Sequence, residues 1–178
     1  MKELMSDRFF KVMCGIMRFH DMILPNAVRK RTEQFGIEKG MTVVDYACGP
    51  GRYAVQVSKL TGDDGEVIAV DIKQIALDKT SEWAKKLGLT NITTRLANGY
   101  DSGLESGTAD VVFAVDVFHM IEKHDLFLSE LRRICKDDGR LILSGGHWSR
   151  KKVKTITEAS GLWELEKDGK DILRYKKK

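Results

Sequence analysis

Two amphipathic segments come first in the chain. Residues 27–35 carry a helical pattern that Gly36 closes. A longer helical pattern precedes it and ends at Pro25-Asn26. Its residues at helical spacing are Phe9, Met13, Ile16, Met17, His20 and Leu24. The pattern therefore predicts two helices within residues 1–37, ahead of the first strand.

Five short apolar segments follow, and helical patterns separate most of them. The apolar segments are rich in β-branched residues and span residues 41–45, 65–71, 91–96, 110–116 and 140–144. The helical patterns span residues 53–60, 74–87 and 125–135, and a polar loop occupies residues 98–108. Strands that alternate with helices indicate a parallel sheet that helices cover on both faces.

The C-terminal segment, residues 147–178, has a different pattern. A helical pattern over 152–160 precedes two apolar segments, 162–166 and 171–175, which flank the turn pair Asp168-Gly169. Such a pair favours an antiparallel hairpin. The whole pattern predicts an α/β fold with a Rossmann-like doubly wound sheet of seven strands, in which five parallel strands are completed by this hairpin.

The composition indicates one globular domain over residues 1–178. The chain has 178 residues, of which 42% are hydrophobic and 31% charged, so it can bury one sizeable core. It lacks an apolar run of the roughly 20 residues that a membrane span needs, and we expect a cytoplasmic protein that does not enter a membrane. Its three cysteines form no Cys-x-x-Cys pair, so the sequence predicts no metal site.

The turn after the first strand carries the chemistry. Residues 49–54, Gly-Pro-Gly-Arg-Tyr-Ala, fit the fingerprint G-x-G-x-x-[GA], and Asp71 lies 20 residues past Gly51, where an acid would bind ribose hydroxyls. This pattern alone suits NAD or another adenosine cofactor. Asp45 precedes the glycines, however, and a carboxylate there favours a cation over a pyrophosphate. A cofactor with adenosine at one end and a positive centre at the other fits better.

Four segments in the right order resemble the motifs of class I S-adenosylmethionine-dependent methyltransferases. Val43-Val-Asp-Tyr-Ala-Cys-Gly-Pro-Gly-Arg-Tyr53 resembles the first motif, and residues 67–72 resemble the second. Residues 110–119 resemble the fourth-strand motif, and residues 131–141 resemble the passage L-R-R-V-L-K-P-G-G-R-L. The similarity covers about residues 38–146 and is greatest to the small-molecule group, methyltransferase type 11, that includes quinone-biosynthesis enzymes.

The resemblance implies a cofactor site for S-adenosyl-L-methionine, without a metal, built by residues 38–146. Asp45 would orient the methionine end, Asp71 would bind the ribose, and Asn98 would accept from the adenine amino group. Ala47 stands where the family most often has glycine, and we expect a tolerable crowding there. The implied cofactor-binding residues are Asp45, Tyr46, Ala47, Gly49, Gly51, Asp71, Ile72, Asn98, Gly99, Tyr100, Asp116 and Val117.

The implied reaction is an in-line displacement that moves the methyl group to a small-molecule acceptor and leaves S-adenosyl-L-homocysteine. An acceptor with a removable proton also needs a general base. His119 is the first candidate because it follows Asp116 on the loop where relatives place the substrate, and Tyr53 is the second. In this family the N-terminal helices commonly contribute to the acceptor pocket, so residues 1–37 are a candidate lid.

Three other functions stay open at this point. The chain could be an RNA or protein methyltransferase, a non-catalytic S-adenosylmethionine-binding subunit that needs a partner, or an NAD-binding module. Nucleic acid is disfavoured, because the segment after the fourth strand is Asp116-Val-Phe-His119 and not an Asp/Asn-Pro-Pro-Tyr box. Aromatic and basic residues also do not interleave as they do on a stacking platform. The sequence leaves open the acceptor, the methylated atom and the oligomeric state.

Overall fold

The computed structural model describes residues 6–24 and 26–178, without the side chains at positions 18 and 20–22. The helices are α1 Asp7–Ile23, α2 Ala27–Thr32, α3 Arg52–Thr61, α4 Gln74–Lys86, α5 His124–Ile134 and α6 Arg150–Ala159. The strands are β1 Thr42–Tyr46, β2 Glu66–Asp71, β3 Ile92–Leu96, β4 Ala109–Ala114, β5 Cys135–Leu143, β6 Trp163–Asp168 and β7 Leu173–Lys177. Short 3-10 turns occupy Glu33–Phe35 and Phe118–Met120.

The seven strands form one sheet in the order β3-β2-β1-β4-β5-β7-β6. Strands β1 to β5 are parallel, and β7 pairs antiparallel with both β5 and β6. The predicted doubly wound sheet with a C-terminal hairpin is therefore confirmed. The strand order reverses between β1 and β4, and in such sheets ligands bind at the carboxyl ends of the strands beside this switch point.

Alternate residues of the central strands face two separate cores. Val44 and Val112 point to the side covered by α5 and α6, where Leu131 and Val153 are buried. The neighbouring strand positions point to the side covered by α2, α3 and α4, in a core that contains Val43, Val111, Val28, Val57 and Leu77. Both faces are thus covered by helices, as the apolar strand segments predict.

Strand β5 begins earlier than the sequence predicts. Residues 136–139, which separate the predicted helix 125–135 from the predicted strand 140–144, are part of β5, which follows α5 directly at Cys135. A register shift against β4 between Ala109 and Val111 absorbs the additional residues. Gly139 permits this, because a Cβ there would lie 2.7 Å from Cys135 Sγ and 3.0 Å from the Ala109 carbonyl oxygen.

Helix α1 has a different inward face from the predicted stripe. Phe10 is buried and Met17 is half-buried, whereas Phe9, Ile16 and Leu24 are exposed. The side chain of His20 lies outside the described residues. The stripe was partly wrong: Met13 and Met17 are half-buried, but the residues that face α4 and the turn before α3 are Phe10, Cys14 and Met17.

The loop between β3 and β4 is held by α5. Glu130 Oε1 accepts hydrogen bonds from the Ser102 backbone N–H at 3.0 Å and from its hydroxyl at 2.5 Å. Arg133 makes two hydrogen bonds to the Glu130 carboxylate and donates a third to the Leu104 carbonyl at 2.7 Å. Burial by itself raises the pKa of Glu130, but the donors from Arg133 and Ser102 outweigh it and lower that pKa.

Glu130→Gln should lower the free energy of unfolding by about 1–2 kcal/mol near neutral pH, because it weakens charge-assisted hydrogen bonds. The lowered pKa means that the stabilisation is present above the ordinary glutamate range and is lost as the pH falls through the folded-state pKa. Urea denaturation at several pH values measures this, with exposed Glu158→Gln as the control. An equal loss at acid and neutral pH would contradict the assignment.

Candidate functional site

The carboxyl edge of β1, β2 and β4 brings most of the predicted site residues together. Strand β1 ends at Tyr46 and continues into the turn 47–51, while β2 ends at Asp71. Asp116 lies two residues beyond the end of β4. Parallel strands present their carboxyl ends at one edge, which is why these segments meet.

The turn after β1 is wound through left-handed conformations. Ala47 has a φ of 66°, Gly49 of 54° and Gly51 of 80°. The backbone N–H groups of Ala47 and Cys48 both donate to the Val70 carbonyl, at 2.8 and 3.0 Å. This corrects the expectation for Ala47, since a Cβ at positive φ carries real backbone strain and not only crowding.

Gly51 is required by a close contact as well as by its φ. A Cβ at this position would lie 2.7 Å from the Thr80 hydroxyl oxygen and 2.8 Å from its methyl group. Thr80 is fully buried on α4, and its hydroxyl is 3.2 Å from the Gly49 carbonyl. Sequence reasoning missed Thr80, because no local pattern distinguishes it from the other buried positions of α4.

Asp45 is a buried carboxylate with an unsatisfied oxygen. Its exposed fraction is 3%, and it accepts a hydrogen bond from the Ala54 backbone N–H. Within the described part of the chain, its Oδ2 has no hydrogen-bond partner. Burial, with the charge of Asp71 as a second cause, raises the pKa of Asp45 well above its usual range. A positively charged ligand would relieve this arrangement.

Asp71 fastens the same turn to β2. Its carboxylate accepts from the backbone N–H groups of Gly49 at 3.0 Å and of Lys73 at 2.9 Å. Burial raises the pKa of Asp71, and these two donors partly oppose that shift. Ile72 follows it in the chain and is half-buried.

The predicted residues after β3 form a tight turn. Asn98 and Asp101 exchange backbone hydrogen bonds of 2.8 and 3.1 Å, and Gly99 adopts a φ of 64° between them. The Tyr46 hydroxyl donates to the Tyr100 carbonyl at 2.6 Å. Tyr46 was also predicted to bind the cofactor, and its side chain is buried, packs on Phe127 of α5 and anchors this turn.

Asp116 is the centre of a second polar cluster. It has a φ of 62°, and its carboxylate accepts from Arg31 at 2.8 Å and from the Tyr53 hydroxyl at 3.0 Å. The Ser144 hydroxyl accepts from the Asp116 N–H and donates to its Oδ1. Burial alone raises the pKa of Asp116, but the charge and hydrogen bonds of these partners lower it overall.

Sequence reasoning missed Arg31, which α2 supplies to this cluster. Its Nη1 also donates to the Tyr53 hydroxyl at 2.7 Å, and its Nη2 reaches the Asp171 carbonyl at 3.2 Å. A signal was present, because Arg31 lies three residues after the buried Val28 and so shares the inward face of α2.

The two predicted bases lie near Asp116, which accepts a hydrogen bond from Tyr53 and influences the pKa of His119 through its charge. Tyr53 is buried, its proton is donated to Asp116, and burial raises its pKa. His119 is half-buried, and burial, followed by the charge of His147, lowers its pKa, so its ring is neutral near pH 7. Considering the described residues alone, its Nδ1 has no hydrogen-bond partner.

Comparison with known proteins identifies the family. A model described as a methyltransferase domain matches residues 37–176, most of the chain. The chain belongs to this methyltransferase-domain family. The fold and the motifs place it among the class I S-adenosylmethionine-dependent methyltransferases.

Individual relatives are similar over part of their length. The chain is 31% identical over 109 residues to the ubiquinone/menaquinone biosynthesis C-methyltransferase UbiE of Pasteurella multocida, covering 61% of this chain and 41% of that protein. It is 27% identical over 106 residues to nocamycin O-methyltransferase of Saccharothrix syringae, covering 60% and 38%. The chain thus spans about two fifths of these curated relatives.

A solved structure resembles the chain over most of both lengths. It is a SAM-dependent methyltransferase from Aquifex aeolicus, with a TM-score of 0.73 and 27% identity, covering 84% of this chain and 87% of that one. None of the helices formed by the described residues is long and apolar enough to cross a bilayer.

Ala47→Gly should raise the free energy of unfolding by about 0.5–1 kcal/mol, because relief of the positive φ exceeds the added entropy of the unfolded chain. Urea denaturation measures the change. Ala159→Gly, at an exposed position in the last turn of α6, is the matched control and should lower the stability. A loss of stability in Ala47→Gly would contradict the strain.

Proposed function

We propose that this chain binds S-adenosyl-L-methionine at the carboxyl edge of the sheet and transfers its methyl group to a small-molecule acceptor. The observation that carries the proposal is the buried carboxylate of Asp45, with its unsatisfied oxygen, directly before the left-handed turn 47–51. Family membership supports the reaction.

The electrostatics of the edge suit a cationic cofactor. Asp71 lies close enough to Asp45 for its negative charge to contribute to the raised pKa of Asp45. A pyrophosphate would face both carboxylates, whereas an ammonium or sulfonium group would neutralise Asp45. When bound, S-adenosylmethionine supplies an electrophilic methyl group on its sulfonium sulfur.

The remaining predicted residues take roles that their positions support. Asp71 accepts from ribose hydroxyls, and Ile72 packs on the adenine. Asn98 is exposed at the end of β3, with an amide oxygen that can accept from the adenine amino group. Gly49 and Gly51 allow the backbone of the turn to approach the ligand closely.

We assign binding of the acceptor to the region around Asp116 and Val117, which we call the acceptor side. His119 is the group that accepts a proton from the acceptor, because it is neutral and lies three residues beyond Asp116 on the same loop. The proton of Tyr53 is bonded to Asp116, so we assign Tyr53, together with Arg31, to positioning the Asp116 carboxylate.

A small molecule is the acceptor class that the chain can accommodate. The relatives UbiE and nocamycin O-methyltransferase are named for quinone biosynthesis and for a natural product, which supports this class. From residues 1–37, α2 contributes Arg31 to the acceptor side. Helix α1 lies against α4 instead. We therefore reduce the candidate lid from residues 1–37 to α2.

A thermal-shift comparison of S-adenosylhomocysteine with NADH tests the cofactor. The homocysteine product should raise the melting temperature, since a ligand at about 100 times its dissociation constant adds roughly 2.7 kcal/mol, and NADH should not. Stabilisation by NADH alone would establish a dinucleotide site. Binding of S-adenosylmethionine without turnover on any acceptor would establish a non-catalytic subunit.

Asp45→Asn should increase the stability of the protein and weaken its binding of the cofactor product. Removing a buried, poorly satisfied charge should raise the free energy of unfolding by about 1–3 kcal/mol near neutral pH, while binding of S-adenosylhomocysteine, which keeps the ammonium group, weakens at least tenfold. A raised folded-state pKa costs stability only above the ordinary carboxyl range, so the gain should vanish at acid pH. Exposed Asp63→Asn is the control, and unchanged binding in Asp45→Asn would overturn the assignment.

His119→Gln should lower kcat by about 10²–10⁴-fold for acceptors that lose a proton, with the dissociation constant of S-adenosylhomocysteine unchanged. Because the pKa of His119 is lowered, wild-type activity should persist to below the ordinary histidine range, and the variant should lose this acid limb. His124→Gln, on α5, is the matched control. Turnover at the wild-type rate in His119→Gln would exclude His119 as the base.

A further inference from the structure

A cavity of about 500 Å³ lies between α1, α4 and the start of α3. Pro50 and Arg52 are its lining residues from the turn region, and none of the residues assigned above to the cofactor is among the described residues that line it. It therefore adjoins the turn 47–51 through Pro50 but shares no lining residue with the cofactor site assigned above. Its volume falls within the range of small-molecule sites.

The interior of the cavity is apolar. Phe10, Cys14 and Met17 project into it from α1, and Trp83 projects from α4. Phe10 is only 4% exposed, and the other three are half-buried. Burial raises the pKa of the Cys14 thiol, which agrees with a partly desolvated surface. These side chains offer a mostly aromatic and aliphatic surface to a hydrocarbon or ring system.

The charged residues at the cavity are mostly basic. Its described lining contains four basic side chains, Lys11, Arg52, Lys79 and Lys86, and one acidic side chain, Glu82. Glu82 forms an ion pair of 2.6 Å with Lys79. Lys11 and Lys86 are exposed, and one comes from each of the two helices that form the walls. The opening therefore attracts anions.

We propose that this cavity binds an amphipathic anion, a molecule with an apolar body and a single carboxylate. The body would pack on Phe10, Met17 and Trp83, and the carboxylate would pair with Lys11 and Lys86. The apolar interior alone would accept any hydrophobic molecule, and the basic residues alone would attract any anion. Their combination selects a molecule that carries both features, such as a medium-chain fatty acid.

Tryptophan quenching by a terminally brominated dodecanoate tests the site. Trp83 lines the cavity, whereas Trp163 is buried in the core beneath α5 and α6, and Trp148 packs on Phe118. The probe should quench fluorescence saturably in the wild type, and the quenching should be lost in Trp83→Phe. Dodecanoate should compete and dodecanol should compete poorly. Quenching that persists in Trp83→Phe, equal competition by dodecanol, or absence of saturable quenching would overturn the proposal.

Lysine variants with a matched control pair, and the alkylation of Cys14, test the site without replacing Trp83. Lys11→Gln with Lys86→Gln should weaken binding of the probe about tenfold or more, while the exposed pair Lys59→Gln with Lys151→Gln should leave it unchanged. Bound dodecanoate should also slow alkylation of Cys14 by iodoacetamide. Saturating S-adenosylhomocysteine should not displace the probe. Displacement, or equal binding by both double variants, would place the probe elsewhere.

Discussion

The left-handed turn between β1 and α3 is the constraint on which the rest of the site depends. The Val70 carbonyl of β2 accepts two N–H groups from it, and the Asp71 carboxylate accepts a third from Gly49. Thr80 of α4 packs directly against Gly51. The turn thus ties β1, β2 and α4 together, and its path leaves Asp45 buried at the edge where a ligand would bind.

Backbone strain at non-glycine residues is concentrated at this edge. Ala47 and Asp116 are the non-glycine residues with positive φ in the described chain, and both flank the switch point. Asp45 keeps an unsatisfied carboxylate oxygen in the same region. The two apolar cores beneath supply the stability that tolerates these features, as is common where a site is arranged for a ligand.

Segments far apart in the chain meet at Asp116 and Arg31. Helix α2 brings Arg31 to Asp116, and the turn before β7 supplies the Asp171 carbonyl that Arg31 also contacts. Strand β7 lies between β5 and β6, which places that turn beside α2. The turn 47–51 and the ends of β2 and β4 come from the middle of the chain, whereas Arg31 and Asp171 come from segments on either side of it.

The sequence by itself determined the order of the elements, the helices on both faces and the edge that holds Asp45, Asp71 and Asp116. These depend on local periodicity and on a short glycine motif, both of which are readable within a few residues. The tertiary structure decided the φ of Ala47, the contact of Thr80, the arrival of Arg31, the inward face of α1 and the early start of β5. Each of these depends on a partner distant in the chain, and a local pattern does not encode which distant partner will be in contact.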